Sequence, residues 1–215
     1  MSLTQHIRQK TKVYKAIARN LNLKFIEEII AHHNDQLSKI VHKPKKDTNF
    51  LLAGSGVIYA LRDYLGGKSL WEQTIPSESF SYPDDIPTPY RWLGMALMED
   101  CIRKQKSLDI KNSLGLELQP TVDDVAQIAN SFDVVFGSSK ALSTYVAENN
   151  AVHLNPTFPA SHLIGGADAN MILGDTLWDI RTTARRKPLD LDTVVQQIGY
   201  WLLDYGDTYK LRQVA

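Results

Sequence analysis

The chain has 215 residues, and its 24 lysine and arginine residues balance 24 aspartate and glutamate residues, so the formal net charge is zero. A hydrophobic fraction of 43% without a low-complexity tract indicates one folded domain, or one domain with an appended helical part. The single cysteine excludes an internal disulfide, no apolar run approaches the roughly 20 residues of a membrane span, and no cleavable apolar leader is present, so we expect a cytoplasmic protein without membrane insertion.

The N-terminal segment is basic. Residues 1–46 contain ten lysine and arginine residues but three acidic ones. This excess is compatible with a phosphate backbone as partner, although an ordinary solvated helix face is the more common explanation. Apolar spacing predicts one helix over residues 4–18 and a second over 23–41. We therefore expect a basic helical segment over 1–48, packed on a domain that spans 49–215.

The middle of the chain is predicted to be helical. A helix over residues 49–65 is ended by two glycines, and further helices are expected over 90–106, 121–132 and 138–148. Residues 75–89 contain four prolines and predict an ordered loop. An extended stretch over residues 152–158 then leads to the part of the chain that carries chemistry.

A β-hairpin is predicted next, with strands over 169–173 and 176–182. The dipeptide Gly174-Asp175 supplies a two-residue turn of the type with glycine first. A last helix over 191–205 follows, and residues 209–214 look like the beginning of another strand.

The hairpin carries polar side chains at alternating positions. Because side chains two apart share a face of a strand, Asp168 and Asn170 point one way, and Asp179 and Arg181 share a face of the second strand. Charged groups that face an interior are costly unless they are paired or bind a metal. This pattern therefore predicts either an ion pair or a metal site.

The arrangement resembles the core of the PD-(D/E)XK nuclease superfamily. There, one acidic residue on the first strand and a D/E-x-K motif on the next hold a divalent metal and a water. Gln196 and Tyr200 of the last helix fit the Gln-x-x-x-Tyr signature of the RecB-type branch. The resemblance covers about residues 161–205. It implies an α/β fold with a small mixed sheet, a central hairpin flanked by helices, a restriction-endonuclease-like core and a mostly helical N-terminal half.

The same resemblance implies roles for individual residues. Mg²⁺ or Mn²⁺ is the implied cofactor, and a helix before the hairpin often adds an acidic ligand, for which Asp63 and Glu99 are candidates. The implied metal ligands are Asp168, Asn170 and Asp179, and the implied catalytic residues are Asp168, Asp179, Arg181, Gln196 and Tyr200.

Two positions depart from the family pattern. Arg181 stands where the family has lysine, and arginine stays protonated, so it is a poor base. Asn170 aligns with the first-strand aspartate and offers magnesium a neutral oxygen in place of an anionic one, although Asp168 on the same face is able to substitute.

We therefore expect a metal-dependent DNA nuclease or a catalytically weakened relative of one. The alternative is a non-catalytic module that keeps the nuclease fold and binds nucleic acid or protein. A third hypothesis is a helical interaction protein in which Asp179 and Arg181 form a buried ion pair.

Overall fold

The structure is a computed structural model that describes residues 1–37, 43–66, 87–104, 118–132, 152–167, 169–181 and 189–214. These residues form seven α-helices and four short strands. The predicted helix over 138–148, nearly all of the predicted loop over 75–89 and the side chain of Asp168 lie outside the described residues. No described helix combines the length and the apolar character that a transmembrane span requires.

The mixed α/β class predicted from the sequence is confirmed, with helices dominating the first half of the chain. In chain order the helices are α1 (Leu3–Arg8), α2 (Lys12–Arg19), α3 (Leu23–Leu37), α4 (Phe50–Gly66), α5 (Thr88–Lys104), α6 (Gln119–Asn130) and α7 (Leu191–Leu203). The strands are β1 (Val152–Leu154), β2 (Met171–Leu173), β3 (Thr176–Trp178) and β4 (Gln213–Val214), and a 3₁₀ helix spans Ser161–Ile164.

The chain divides into two compact units. The first contains α1 to α3, the sheet, the 3₁₀ helix and α7, and the second contains α4, α5, α6 and Arg181. The first unit is thus assembled from both ends of the chain. The division into an N-terminal segment over residues 1–48 and a domain over residues 49–215 stays a prediction.

The single helix predicted over residues 4–18 is wrong, because the chain breaks between α1 and α2. Lys10 adopts a left-handed backbone conformation with φ 49°, which no continuous α-helix accommodates. A ring nitrogen of His6 lies 2.8 Å from the hydroxyl of Thr11, the residue that begins α2. The apolar spacing that favoured one helix therefore did not predict this break.

The sheet is mixed and has the order β1-β2-β3-β4. The pairs β1/β2 and β2/β3 are antiparallel, and β4 pairs with β3 in parallel. A parallel neighbour requires a crossover connection, which α7 provides. A strand was expected from residues 209–214 onward, and one is observed over Gln213–Val214 alone. The extended stretch predicted over residues 152–158 is interrupted after β1, because Asn155 adopts a left-handed backbone conformation with φ 53°.

The core of the first unit lies between one face of the sheet and the helices. Ile172 and Leu177 are direct partners across β2 and β3, and both belong to a buried cluster that includes Val195 and Tyr200 of α7. Leu3 of α1 belongs to the same cluster. Helix α7 therefore packs on the sheet face that carries Ile172 and Leu177.

Helices α1 and α7 approach each other closely at Gly199. A Cβ atom at this position would lie 3.0 Å from both terminal carbons of Leu3 and 3.5 Å from Cδ1 of Ile17. The absence of a side chain at Gly199 thus allows α1 and α2 to pack directly on α7.

The second unit is a helical assembly of α4, α5 and α6. A Cβ atom at Gly56 of α4 would lie 2.7 Å from Cδ2 of Leu93 in α5 and 3.1 Å from Cγ2 of Val125 in α6. The segment before α4 is held by Asp124, whose buried carboxylate accepts hydrogen bonds from the backbone N–H of Lys45 (2.9 Å) and the hydroxyl of Thr48 (2.5 Å). This carboxylate fixes where α4 begins.

Candidate functional site

The tight turn of the hairpin sets the geometry of the site. Gly174 has φ 60°, a conformation that favours glycine and belongs to the predicted turn type. The turn pairs Leu173 with Thr176 and, two steps further, Met171 with Trp178. The next pair in this register is Asn170 with Asp179, so these two residues stand opposite each other just beyond the strands.

Asn170 and Asp179 are joined by a hydrogen bond. The side-chain Nδ2 of Asn170 donates to Oδ1 of Asp179 at 2.9 Å and to the backbone oxygen of Ile180 at 3.2 Å. Both partners can only accept, which fixes the amide with its nitrogen toward them. Both side chains are part-buried. The predicted convergence of polar side chains from the two halves of the hairpin is therefore observed for this pair.

The pair is a poor fit to magnesium. Magnesium prefers oxygen ligands in octahedral geometry, yet Asn170 presents its nitrogen to Asp179 and uses one carboxylate oxygen of that residue. Within the described ranges, no three His, Cys, Asp or Glu side chains come together as a metal site. The described part of the candidate site thus supplies one carboxylate, and no chemical step is assigned to a metal here.

The other two predicted ligands of metal and phosphate are Asp168 and Arg181. Asp168 lies outside the described residues. Strand β3 ends at Trp178, so Arg181 follows the strand, and its side chain is exposed. The structure therefore shows Arg181 as an accessible cation and does not show the predicted face shared with Asp179 on a regular strand.

The two acidic candidates from the earlier helices belong to the second unit. Asp63 accepts a hydrogen bond from the indole nitrogen of Trp92 at 2.7 Å, and Glu99 accepts one from the hydroxyl of Tyr59 at 2.7 Å. Each carboxylate thus has a partner within the helices α4 and α5. Their role as a third metal ligand stays a prediction.

Gln196 and Tyr200 lie together on α7, as their spacing predicts. Nε2 of Gln196 donates to the hydroxyl of Tyr200 at 2.9 Å and to the hydroxyl of Thr4 at 3.0 Å. The ring of Tyr200 is stacked on Phe158, with ring centroids 5.6 Å apart. In the structure this pair joins α1, α7 and the chain after β1.

Gln197, the residue beside the motif, was missed by the sequence analysis. Its side chain is buried, and among the described residues neither Nε2 nor Oε1 has a hydrogen-bond partner. It lies three residues before Tyr200 and four after Thr193, and all three side chains are buried on one stripe of the helix. The only sequence signal was a second glutamine at a position where the apolar stripe of α7 continues.

Comparisons with protein-family models, with curated proteins and with solved structures give no match to this chain.

Proposed function

We propose that this chain is a catalytically weakened relative of the PD-(D/E)XK nucleases that binds DNA. The observation that carries the proposal is the hydrogen bond from Asn170 to Asp179 at the end of the hairpin. An amide and a carboxylate stand opposite each other at the place where the resemblance implies a metal held by acidic side chains. Binding of the DNA backbone survives such a change, whereas hydrolysis that depends on the metal is weakened.

The order of the elements supports the nuclease-like part of the proposal. A hairpin with polar residues at its open end is followed by a helix that carries the Gln196 and Tyr200 pair, and then by a strand that extends the same sheet. The resemblance implies this sequence of elements.

Arg181 supports the weakened activity. The side chain is exposed and permanently protonated, so it is suited to hold a phosphate group and unsuited to remove a proton from water. Asn170 stands where the resemblance implies an acidic residue, and Arg181 stands where it implies lysine. Arg181 is suited to bind a phosphodiester, and neither of these two side chains is suited to activate the attacking water.

The proposal is tested by measuring binding and cleavage on the same DNA. Fluorescent duplex and single-stranded oligonucleotides are incubated with the protein in Mg²⁺ or Mn²⁺. We expect binding that weakens with salt, and little or no cleavage. The double variant Asn170→Asp/Arg181→Lys should gain metal-dependent cleavage, and adding Asp179→Asn to it should abolish that gain.

Two results would overturn the proposal. Efficient cleavage by the natural protein, lost on Asp179→Asn, would identify an active nuclease in which Asn170 does not weaken catalysis. Absence of DNA binding at low salt would remove the DNA-binding function altogether.

A protein partner is the second candidate, favoured by exposed apolar side chains near the end of α7. Trp201, Leu202 and Tyr205 are 45%, 60% and 77% exposed. A cluster of this kind is typical of surfaces that bind other proteins. Self-association that is lost in a Leu202→Glu variant, in a protein that does not bind DNA, would favour this candidate.

A further inference from the structure

Helix α2 carries a stripe of three basic side chains. Lys12, Lys15 and Arg19 are spaced by three and four residues, so they lie on one side of the helix within about 10 Å along its axis. All three side chains are exposed.

The opposite side of α2 is anchored. Val13, Tyr14 and Ile17 pack against the buried cluster of the first unit. Because the apolar side packs on the core, the basic side of α2 faces outward.

The side chains of these three cations have no acidic partner among the described residues. Within the described part of the chain, none of them forms an ion pair or a hydrogen bond through its side chain. Some exposed cations of the described residues do have acidic partners: ion pairs join Lys10 to Asp192, Lys45 to Asp123 and Arg212 to Asp207.

The three basic side chains destabilise the helix α2 that carries them. Like charges one turn apart repel each other. Lys12 lies in the first turn of α2, which contains no acidic residue, although the positive end of a helix dipole disfavours a cation there. A polyanion bound along the stripe would relieve both effects.

We infer that Lys12, Lys15 and Arg19 bind the sugar-phosphate backbone of DNA. This inference rests on the proposed DNA-binding function and assigns it a surface. Along one strand of a duplex the rise is about 3.4 Å per nucleotide, so a row of about 10 Å extends over about three nucleotide steps and is long enough for three phosphate contacts. The contact carries no sequence information, because it reads the backbone alone.

The test compares two triple variants with the same change in charge. In the first, Lys12, Lys15 and Arg19 are replaced by glutamine. In the matched control, the three ion-paired cations Lys10, Lys45 and Arg212 are replaced by glutamine. Affinity for a fluorescent duplex is measured over a series of salt concentrations, with thermal unfolding as a check that both variants fold.

Each phosphate contact contributes about 0.9 to the slope of log affinity against log salt. We expect the first variant to lose about 2.7 from the slope of the natural protein. Between about 50 and 200 mM salt, the natural protein should therefore lose about 40-fold more affinity than this variant. The control should keep the natural slope, and the first variant should unfold at no lower temperature than the natural protein.

The outcomes separate the two proposals. If the natural protein binds duplex DNA and both triple variants retain its slope, the assignment to α2 is wrong and DNA binding stands. An equal loss of slope in both variants would also refute the assignment, because the slope would then depend on the net charge of the protein alone. If the natural protein fails to bind, the proposed function fails first.

Discussion

Replacing Asn170 by aspartate is the perturbation that bears most directly on the hydrogen bond of the site. In the natural protein Nδ2 of Asn170 lies 2.9 Å from Oδ1 of Asp179. The variant removes a hydrogen bond to a charged acceptor and places two carboxylates opposite each other. For part-buried groups we expect about 1–2 kcal/mol from the lost hydrogen bond. Repulsion, discounted for exposure to solvent, adds about 1–2 kcal/mol.

The expected loss is therefore about 2–4 kcal/mol in the free energy of unfolding at neutral pH. With a urea dependence of about 2–3 kcal/mol per molar, the unfolding midpoint should fall by about 1 M. Urea unfolding followed by circular dichroism measures this shift. Asn170→Ala provides the comparison, since it removes the hydrogen bond without adding a charge and should cost less.

A reversed pair gives the sharpest control. In the double variant Asn170→Asp/Asp179→Asn the amide and the carboxylate exchange places, so one hydrogen bond and one charge are restored. We expect this double variant to recover most of the lost stability. A single Asn170→Asp variant as stable as the natural protein, or one that Asp179→Asn fails to rescue, would refute the direct interaction of these two residues.

Three further predictions concern stability. Asp124→Ala should lower the free energy of unfolding by about 3 kcal/mol, because two donors of the segment before α4 lose their buried acceptor. Chemical denaturation measures this loss, and a loss under about 0.5 kcal/mol would contradict the prediction. Gln197→Met should be neutral or stabilise by about 1 kcal/mol, since the buried amide lacks partners, and a clear fall in melting temperature would show that its polar atoms are satisfied in solution. Burial raises the pKa of the Tyr209 phenol above its ordinary value of 10.0, and the carboxylate of Asp204 raises it further. The neutral phenol therefore contributes its full stability below pH 10.0, and this stability is lost as the pH rises through the raised pKa of the folded state. Alkaline unfolding curves of the natural protein and Tyr209→Phe should therefore diverge above this pH, and parallel curves would refute the assignment.

The parts of the fold that the sequence predicts well depend on local chemistry. Gly174-Asp175 specifies the turn, and a two-residue turn fixes the register of both strands, so the opposition of Asn170 and Asp179 follows by counting outward from it. Helix α7 was predicted to within two residues because its apolar stripe is long and its first residue follows the capping side chain of Asp190.

The parts that the sequence did not predict depend on contacts between distant segments. The break at Lys10 accompanies an ion pair with Asp192, a residue 182 positions away on α7, which no local periodicity reveals. The assembly of the first unit from both ends of the chain has the same cause.

The candidate site shows both kinds of outcome. That Asn170 and Asp179 meet is a matter of register, whereas the use of the amide as a donor depends on the second acceptor, the backbone oxygen of Ile180. The partners of Gln196 show the same limit, since the hydroxyl of Thr4 is brought to it by the packing of α1 on α7.

The account depends most directly on whether the hydrogen bond between Asn170 and Asp179 stands in place of a metal site. Calorimetric titration of Mg²⁺ or Mn²⁺ into the DNA-free protein measures this. We predict no saturable binding by the natural protein and saturable binding by the Asn170→Asp variant, because two carboxylates then face each other. Stoichiometric metal binding by the natural protein that disappears on Asp179→Asn would contradict the account.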